Sequence, residues 1–158
     1  MKTGEKLVKE FEDILSGGPW YGDAIYKILD RITFDSAYEK PIPAAHNVAE
    51  ILLHMLSWTE EVMDRMNGMT ASTPSSGDWP DPGAPDEQKW QLWVEDLKLV
   101  NVNLIKIIRD FPDEQWDDKI DDKRGYEPTT YEELIHGFFQ HQIYHAGQIA
   151  LLVKMVNG

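Results

Sequence analysis

Apolar residues recur at intervals of three and four in four long stretches of this chain, the spacing that lines side chains along one face of an α-helix. In the first, Leu7, Phe11, Ile14 and Leu15 form a short stripe that Gly17-Gly18-Pro19 interrupts, and Trp20, Ile25, Ile28, Leu29 and Ile32 resume it. Residues 4–32 are therefore predicted as one helical arm with a bend, followed by a connection over 34–45 that carries Pro41 and Pro43. Asn47 and Glu50 have the spacing of a reciprocal cap, which predicts a second helix from there to about Met66, with Ile51, Met55, Val62 and Met66 facing inward and Gly68 as terminator. A third helix is expected from Pro85 or Asp86, with Trp90, Trp93, Leu97, Val100, Leu104, Ile107 and Phe111 as its stripe and Pro112 just past its end. Thr130 and Glu133 repeat the capping pattern and open the fourth helix, which runs to Asn157-Gly158.

Two irregular segments separate these helices. Residues 68–85 are rich in Gly, Pro and Ser and form either a functional loop or a crossover strap, with Trp79 available to pin it to the body. Residues 113–128 are strongly charged, with Trp116 and Tyr126 as expected anchors. Four helical patterns without an alternating strand predict an all-α four-helix bundle, and 158 residues suit a single domain, 1–158, that buries roughly two-thirds of its unfolded surface.

Composition narrows the function. The net charge of −13 repels phosphate backbones and anionic membranes, so neither nucleic acid nor a membrane surface is an expected partner. With no cysteine, the chain has no thiol nucleophile, and a metal site must be built from His and carboxylates. No run approaches the ~18 apolar residues of a membrane span. The N-terminal stretch MKTGEKLVKEFEDIL is charged throughout, unlike a secretory signal. A cytoplasmic protein is the expectation.

The chemistry concentrates in histidines. His141 and His145 interrupt the apolar stripe Leu134, Phe138, Ile149, Leu152 of the last helix, one turn apart on the same face, the geometry by which a helix offers two nitrogens to one ion. Satisfied core histidines are the plainer reading of such a pair. Each buried imidazole without a partner, however, forfeits roughly 1–3 kcal/mol, and one metal ion satisfies both. The best third ligand is His54, near the middle of the second helix. Three neutral imidazoles leave a position for water or substrate, as in catalytic zinc sites, and nickel is chemically acceptable. The sequence between the pair, QIY, lacks the glutamate of H-E-x-x-H, which disfavours zincin-type hydrolysis. Gln148 can orient a ligand ring or bind substrate, or equally hydrogen-bond between helices, and Tyr144 and Glu50 are further catalytic candidates. His136 lies about 140° round the helix from His141, off the shared face, and His46, just before the second helix, reads as structural. Trp58, Trp90 and Trp93 read as core.

These residues resemble a known family. The run NVAEILLHMLSW, a W-P pair, a Trp-bearing helix and TTYEELIHGFFQHQIYHAGQIALL, with H-x-x-x-H-x-G-Q supplied by His141, His145, Gly147 and Gln148, are similar to the DinB/YfiT-like superfamily of metalloenzymes. The resemblance implies a four-helix bundle in up-down-down-up order with long crossovers, a homodimer, and zinc or nickel on the three histidines. It also implies a small-molecule substrate, with thiol S-transferase activity on a low-molecular-weight thiol such as bacillithiol or mycothiol in some members. The competing reading is a non-catalytic, stress-related metal-binding dimer.

Overall fold

A computed structural model describes residues 1–157. Three of the four long helices start where their cap signals stand, and two of them also stop where their end signals stand. Helix α4 (Val48–Met66) begins at Asn47, whose Oδ1 accepts from the Glu50 N–H, and ends before Gly68, whose φ of +93° suits glycine. Helix α5 (Glu87–Asp110) begins at Asp86, whose carboxylate accepts from Lys89 N–H. Helix α6 (Tyr131–Asn157) has the full reciprocal cap: Glu133 N–H donates to Thr130 Oγ1, and Thr130 N–H donates to Glu133 Oε2. The expected stop at Gly158 lies outside the described residues.

The N-terminal arm differs from expectation. Helix α1 (Thr3–Ser16) ends where the Asp13 carboxylate accepts from Gly18 N–H, and Pro19 prevents a restart. Only a short α2 (Ile25–Leu29) follows, so the continuous arm over 4–32 is not formed, and Trp20 swings out to full exposure. The segment read as pure connection contains a further short helix, α3 (Phe34–Tyr38), nucleated by a Thr33/Ser36 cap. The last loop holds a two-residue antiparallel ribbon, β1 (Lys119–Ile120) with β2 (Thr129–Thr130), too short for alternation to register in sequence. Ala71, in the strap, bonds through both N–H and C=O to Asp121 and Lys123 beside this ribbon. Trp116 is buried as an anchor, whereas Tyr126 is exposed, with Arg124 lying over its ring.

Neighbouring side chains give the directions of the long helices. The α1 start lies on the α5 end, where a Cβ on Gly4 would meet the Ile108 carbonyl at 2.7 Å, so these two run antiparallel. The ends of α4 and α5 meet around Met63, Met66, Ile107 and Asp110, so they run parallel. Along α4 and α6, Ile51 is level with Leu152 and Val62 with Leu134, so these run antiparallel. The order is up-down-down-up, as the resemblance implies. Parallel α4 and α5 require the chain to return the length of the bundle between them, which the strap over 67–86 does. Phe11 at the centre packs on Phe138 and Phe139, at centroid distances of 5.5 and 5.2 Å, and closes the core between α1 and α6. No helix among the described residues is long and apolar enough to cross a membrane.

Candidate metal centre

Because α4 and α6 run antiparallel side by side, the middle of one faces the middle of the other. His54, from α4, meets His141 and His145, from α6, and the three offer nitrogens that all lie within 4.8 Å of one another. Nitrogens sharing a tetrahedral zinc ion at ~2.0–2.1 Å stand about 3.3 Å apart, so the cluster is of the size one ion requires. His54 and His145 are buried and His141 is half-buried.

The hydrogen bonds on the far side of each ring decide what these nitrogens present. His54 Nδ1 lies 2.5 Å from the Asp78 backbone carbonyl, which can only accept, so Nδ1 carries the proton and Nε2 a lone pair. His141 Nδ1 lies 3.0 Å from Gln142 Oε1. The Gln142 amide has one orientation, because its NH2 donates to Thr59 Oγ1 while the Thr59 hydroxyl donates onward to the Met55 carbonyl. The oxygen therefore faces His141, whose Nδ1 is the donor and whose Nε2 is also a lone pair. Those two Nε2 atoms stand 3.0 Å apart. Two acceptors at hydrogen-bond distance with no proton between them repel, and a shared cation removes the repulsion. His145 Nδ1 lies in turn 2.7 Å from Gln148 Oε1, which leaves its Nε2 as the third candidate ligand atom. Every ring thus has its outer N–H anchored, as metal-bound imidazoles do.

Electrostatics act in the same direction. Burial, reinforced by the neighbouring imidazoles, pushes His145 down to about 4. Burial likewise holds His54 and His141 below the ordinary imidazole range. All three are neutral at pH 7, the form that ligates. Among the described residues these three are the one group of His, Cys, Asp and Glu close enough to share an ion.

The strap completes the site. Trp79 lies flat on the His54 ring, centroids 3.8 Å apart and planes 7° apart, and its other face carries His46 at 3.7 Å and 8°. Its neighbours are tied along α4: Trp58 Nε1 donates to Asp78 Oδ1 at 2.7 Å, Ser57 Oγ donates to the Gly77 carbonyl, and the buried Glu61–Arg65 pair takes both the N–H and the C=O of Ser72. Glu50, read in sequence as half of a reciprocal cap, does not reach back to Asn47. Its carboxylate is taken by His46 Nδ1 at 2.6 Å and Lys40 Nζ at 3.0 Å, and burial notwithstanding these partners hold it below the usual carboxylate range.

The structure therefore brings Gln148 against a candidate ligand ring and places Glu50 behind His46, which Trp79 separates from His54. Tyr144 is 65% exposed, its ring edge-on to His145 at 5.0 Å. His136 faces outward beside Glu132, off the shared face as its position on the helix dictates. Trp90 is core, but Trp58 is only half-buried and lines a cavity beside His141. Sequence reading missed Gln142, which lies outside the apolar stripe; a glutamine directly after a candidate ligand was its only signal. The Asp78 carbonyl has no signature in sequence at all.

Comparison with known proteins agrees with this fold. A model of the DinB superfamily matches residues 22–149. The crystal structure of a DinB-like protein from Bacillus subtilis superposes with a TM-score of 0.70 over 97% of this chain and 93% of that one, at 17% identity, a likeness of fold. No curated protein matches the sequence. With four-fifths of its length, both bundle crossovers and all three clustered histidines inside the matched span, this chain belongs to the DinB superfamily.

Proposed function

We propose that the chain is a metal-dependent enzyme in which His54, His141 and His145 hold one divalent ion, zinc or nickel, and present a small thiol or water to an electrophile in a transferase-like or hydrolase-like reaction. The observation that supports this most is the pair of Nε2 lone pairs 3.0 Å apart, each fixed by an acceptor behind its ring. A set of imidazole nitrogens without carboxylate or thiolate suits zinc and nickel better than calcium or magnesium. When bound, such an ion supplies Lewis acidity that lowers the pKa of a thiol or water beside it. The chain's own groups do the rest. The Asp78 carbonyl, Gln142 and Gln148 hold the three rings in place, and Trp79 shields the His54 face from solvent. The exposed Tyr144 hydroxyl is available to an incoming substrate, and Glu50 fixes His46, which supports Trp79 from outside. The working form is a cytoplasmic homodimer acting on a small molecule, with a low-molecular-weight thiol as co-substrate.

The second reading is a closed, non-catalytic metal site in a stress-related dimer. What favours it is the strap, bonded along α4 with Trp79 flat against His54. Metal analysis of purified protein and of single alanine variants tests the centre. About one ion per chain is expected, lost on replacing His54, His141 or His145 and kept on replacing His46. Retention by His54→Ala refutes the three-ligand centre. A cobalt(II) form then separates the readings, since a visible spectrum that shifts with small thiols or anions reveals an exchangeable position and favours catalysis, whereas an inert one favours a closed structural site.

A further inference from the structure

Gly137 sits inside α6, one turn before His141, where glycine is a poorer helix former than alanine. Close approach explains Gly4, where a Cβ would strike the Ile108 carbonyl at 2.7 Å, but neither glycine of α6, Gly137 or Gly147, meets anything. At Gly137 a Cβ would meet nothing within 4 Å, and the backbone is ordinary helix with no positive φ. Neither packing nor conformation explains the residue. Gly137 itself lines a cleft of about 240 Å³ whose apolar walls are Trp58, Val62, Leu134 and Phe138, with His141 also in the lining. A side chain at 137 would stand in it.

The cleft's chemistry limits its occupant. Arg65 in its lining is committed to Glu61 and the Ser72 carbonyl, and the Glu133 carboxylate caps the Thr130 N–H, so the charged groups present already have partners. A volume of 240 Å³ is roughly that of eight water molecules at ~30 Å³ each. It falls below the ~300–1,000 Å³ of sites that engulf a whole drug-sized ligand. One aromatic ring or a short alkyl chain fits. We propose that Gly137 keeps open an apolar recognition cleft beside the histidine centre, taking the uncharged alkyl or aryl substituent of a small molecule whose head group ligates the ion. This rests on the metal-centre reading and makes Gly137 a specificity-determining position.

The test is a titration of the cobalt(II)-loaded protein with n-alkanethiols from ethanethiol to hexanethiol, followed in the visible spectrum. Affinity should rise about fourfold per methylene, at ~0.8 kcal/mol each, until the cleft is full. Gly137→Leu, which fills the cleft without a backbone clash, should flatten the series while ethanethiol binds within about twofold of wild type, and Gly137→Ala should shorten it. Unchanged cobalt stoichiometry and a melting temperature no lower than wild type show that both variants are folded. A flat series in the wild type, with thiols still bound to cobalt, overturns the cleft and leaves the metal centre standing. A slope that survives in Gly137→Leu also overturns it, by placing the apolar contacts elsewhere, such as the 280 Å³ cavity lined by Ile51, Gln148 and Leu151. Failure to bind cobalt, or a cobalt spectrum that no thiol alters, removes the open metal centre itself and the cleft's role with it.

Discussion

Replacing Gln142 with Met is the perturbation that bears most sharply on how the centre is held. Gln142 is 1% exposed and touches no ion in any reading; its oxygen receives the His141 Nδ1 proton at 3.0 Å and its NH2 reaches Thr59 at 3.3 Å. Met has nearly the same length and no acceptor at that point. His141 is then free to move its proton to Nε2, and with His54 Nε2 already 3.0 Å away the metal-free protein gains a His141-to-His54 hydrogen bond in place of a repulsion. That bond is worth about 1 kcal/mol net, so the apo protein should lose little stability. The ion, however, must now break the bond and reset the tautomer. Together with the lost orientation of the ring, this should weaken metal binding by about 10–100-fold, or ~1.4–2.7 kcal/mol. Gln142→Glu supplies the acceptor again and should bind metal at least as well as wild type. Competition of apo protein against a chromophoric chelator measures both, with urea unfolding of the apo forms as the stability control. A Gln142→Met protein that binds metal within twofold of wild type, while equally stable, would refute the tautomer lock.

Three further outcomes are expected. Burial sets the folded-state pKa of all three histidines below the ~6.5 of an unfolded chain, with His145 at about 4, so the unfolded state takes up protons first as pH falls. Apo-protein stability should be complete above about pH 6.5 and decline from there toward about pH 4; urea midpoints across that range, flat throughout, would contradict the assignment. Glu61→Ala strands the buried Arg65 guanidinium and frees the Ser72 N–H, and should destabilise the protein by about 3–5 kcal/mol in denaturant unfolding, far more than breaking an exposed pair such as Lys27–Asp23. Trp79→Ala should keep the metal stoichiometry but release the ion to excess chelator at least tenfold faster, and an unchanged rate would mean that the stack over His54 is no barrier.

The parts legible in sequence are those governed by local rules. Asn47, Asp86, Thr130, Gly68 and Pro112 each place a helix end within a residue or two, because capping and φ preferences act over one turn. His141 and His145 could be paired because the helix repeat fixes their faces, and His54 could be added because two long helices side by side match depth for depth. The N-terminal arm was misread where tertiary context overrides spacing: Ile25, Ile28 and Leu29 are buried in a five-residue helix after a break, not in a continuation of α1. Glu50 was read as a cap, but a cation at Lys40 and a ring at His46, brought near by an irregular segment, compete for its carboxylate better than a backbone N–H does. The strap's role was the least readable. Its contribution comes through the Asp78 carbonyl and the flat face of Trp79, and neither a backbone atom nor a stacking geometry leaves a periodic trace.

The central claim is that three Nε2 lone pairs, fixed by protons on the opposite nitrogens, converge on one divalent ion. Two-bond 1H–15N NMR of histidine-labelled apo protein at pH 7 reads each tautomer directly. The Nδ1–H form is expected for His54, His141 and His145, and one equivalent of zinc should move all three Nε2 signals while the Nδ1 protons stay in place. An Nε2–H tautomer at His54 or His141 in the metal-free protein, or zinc shifts confined to one ring, would contradict it.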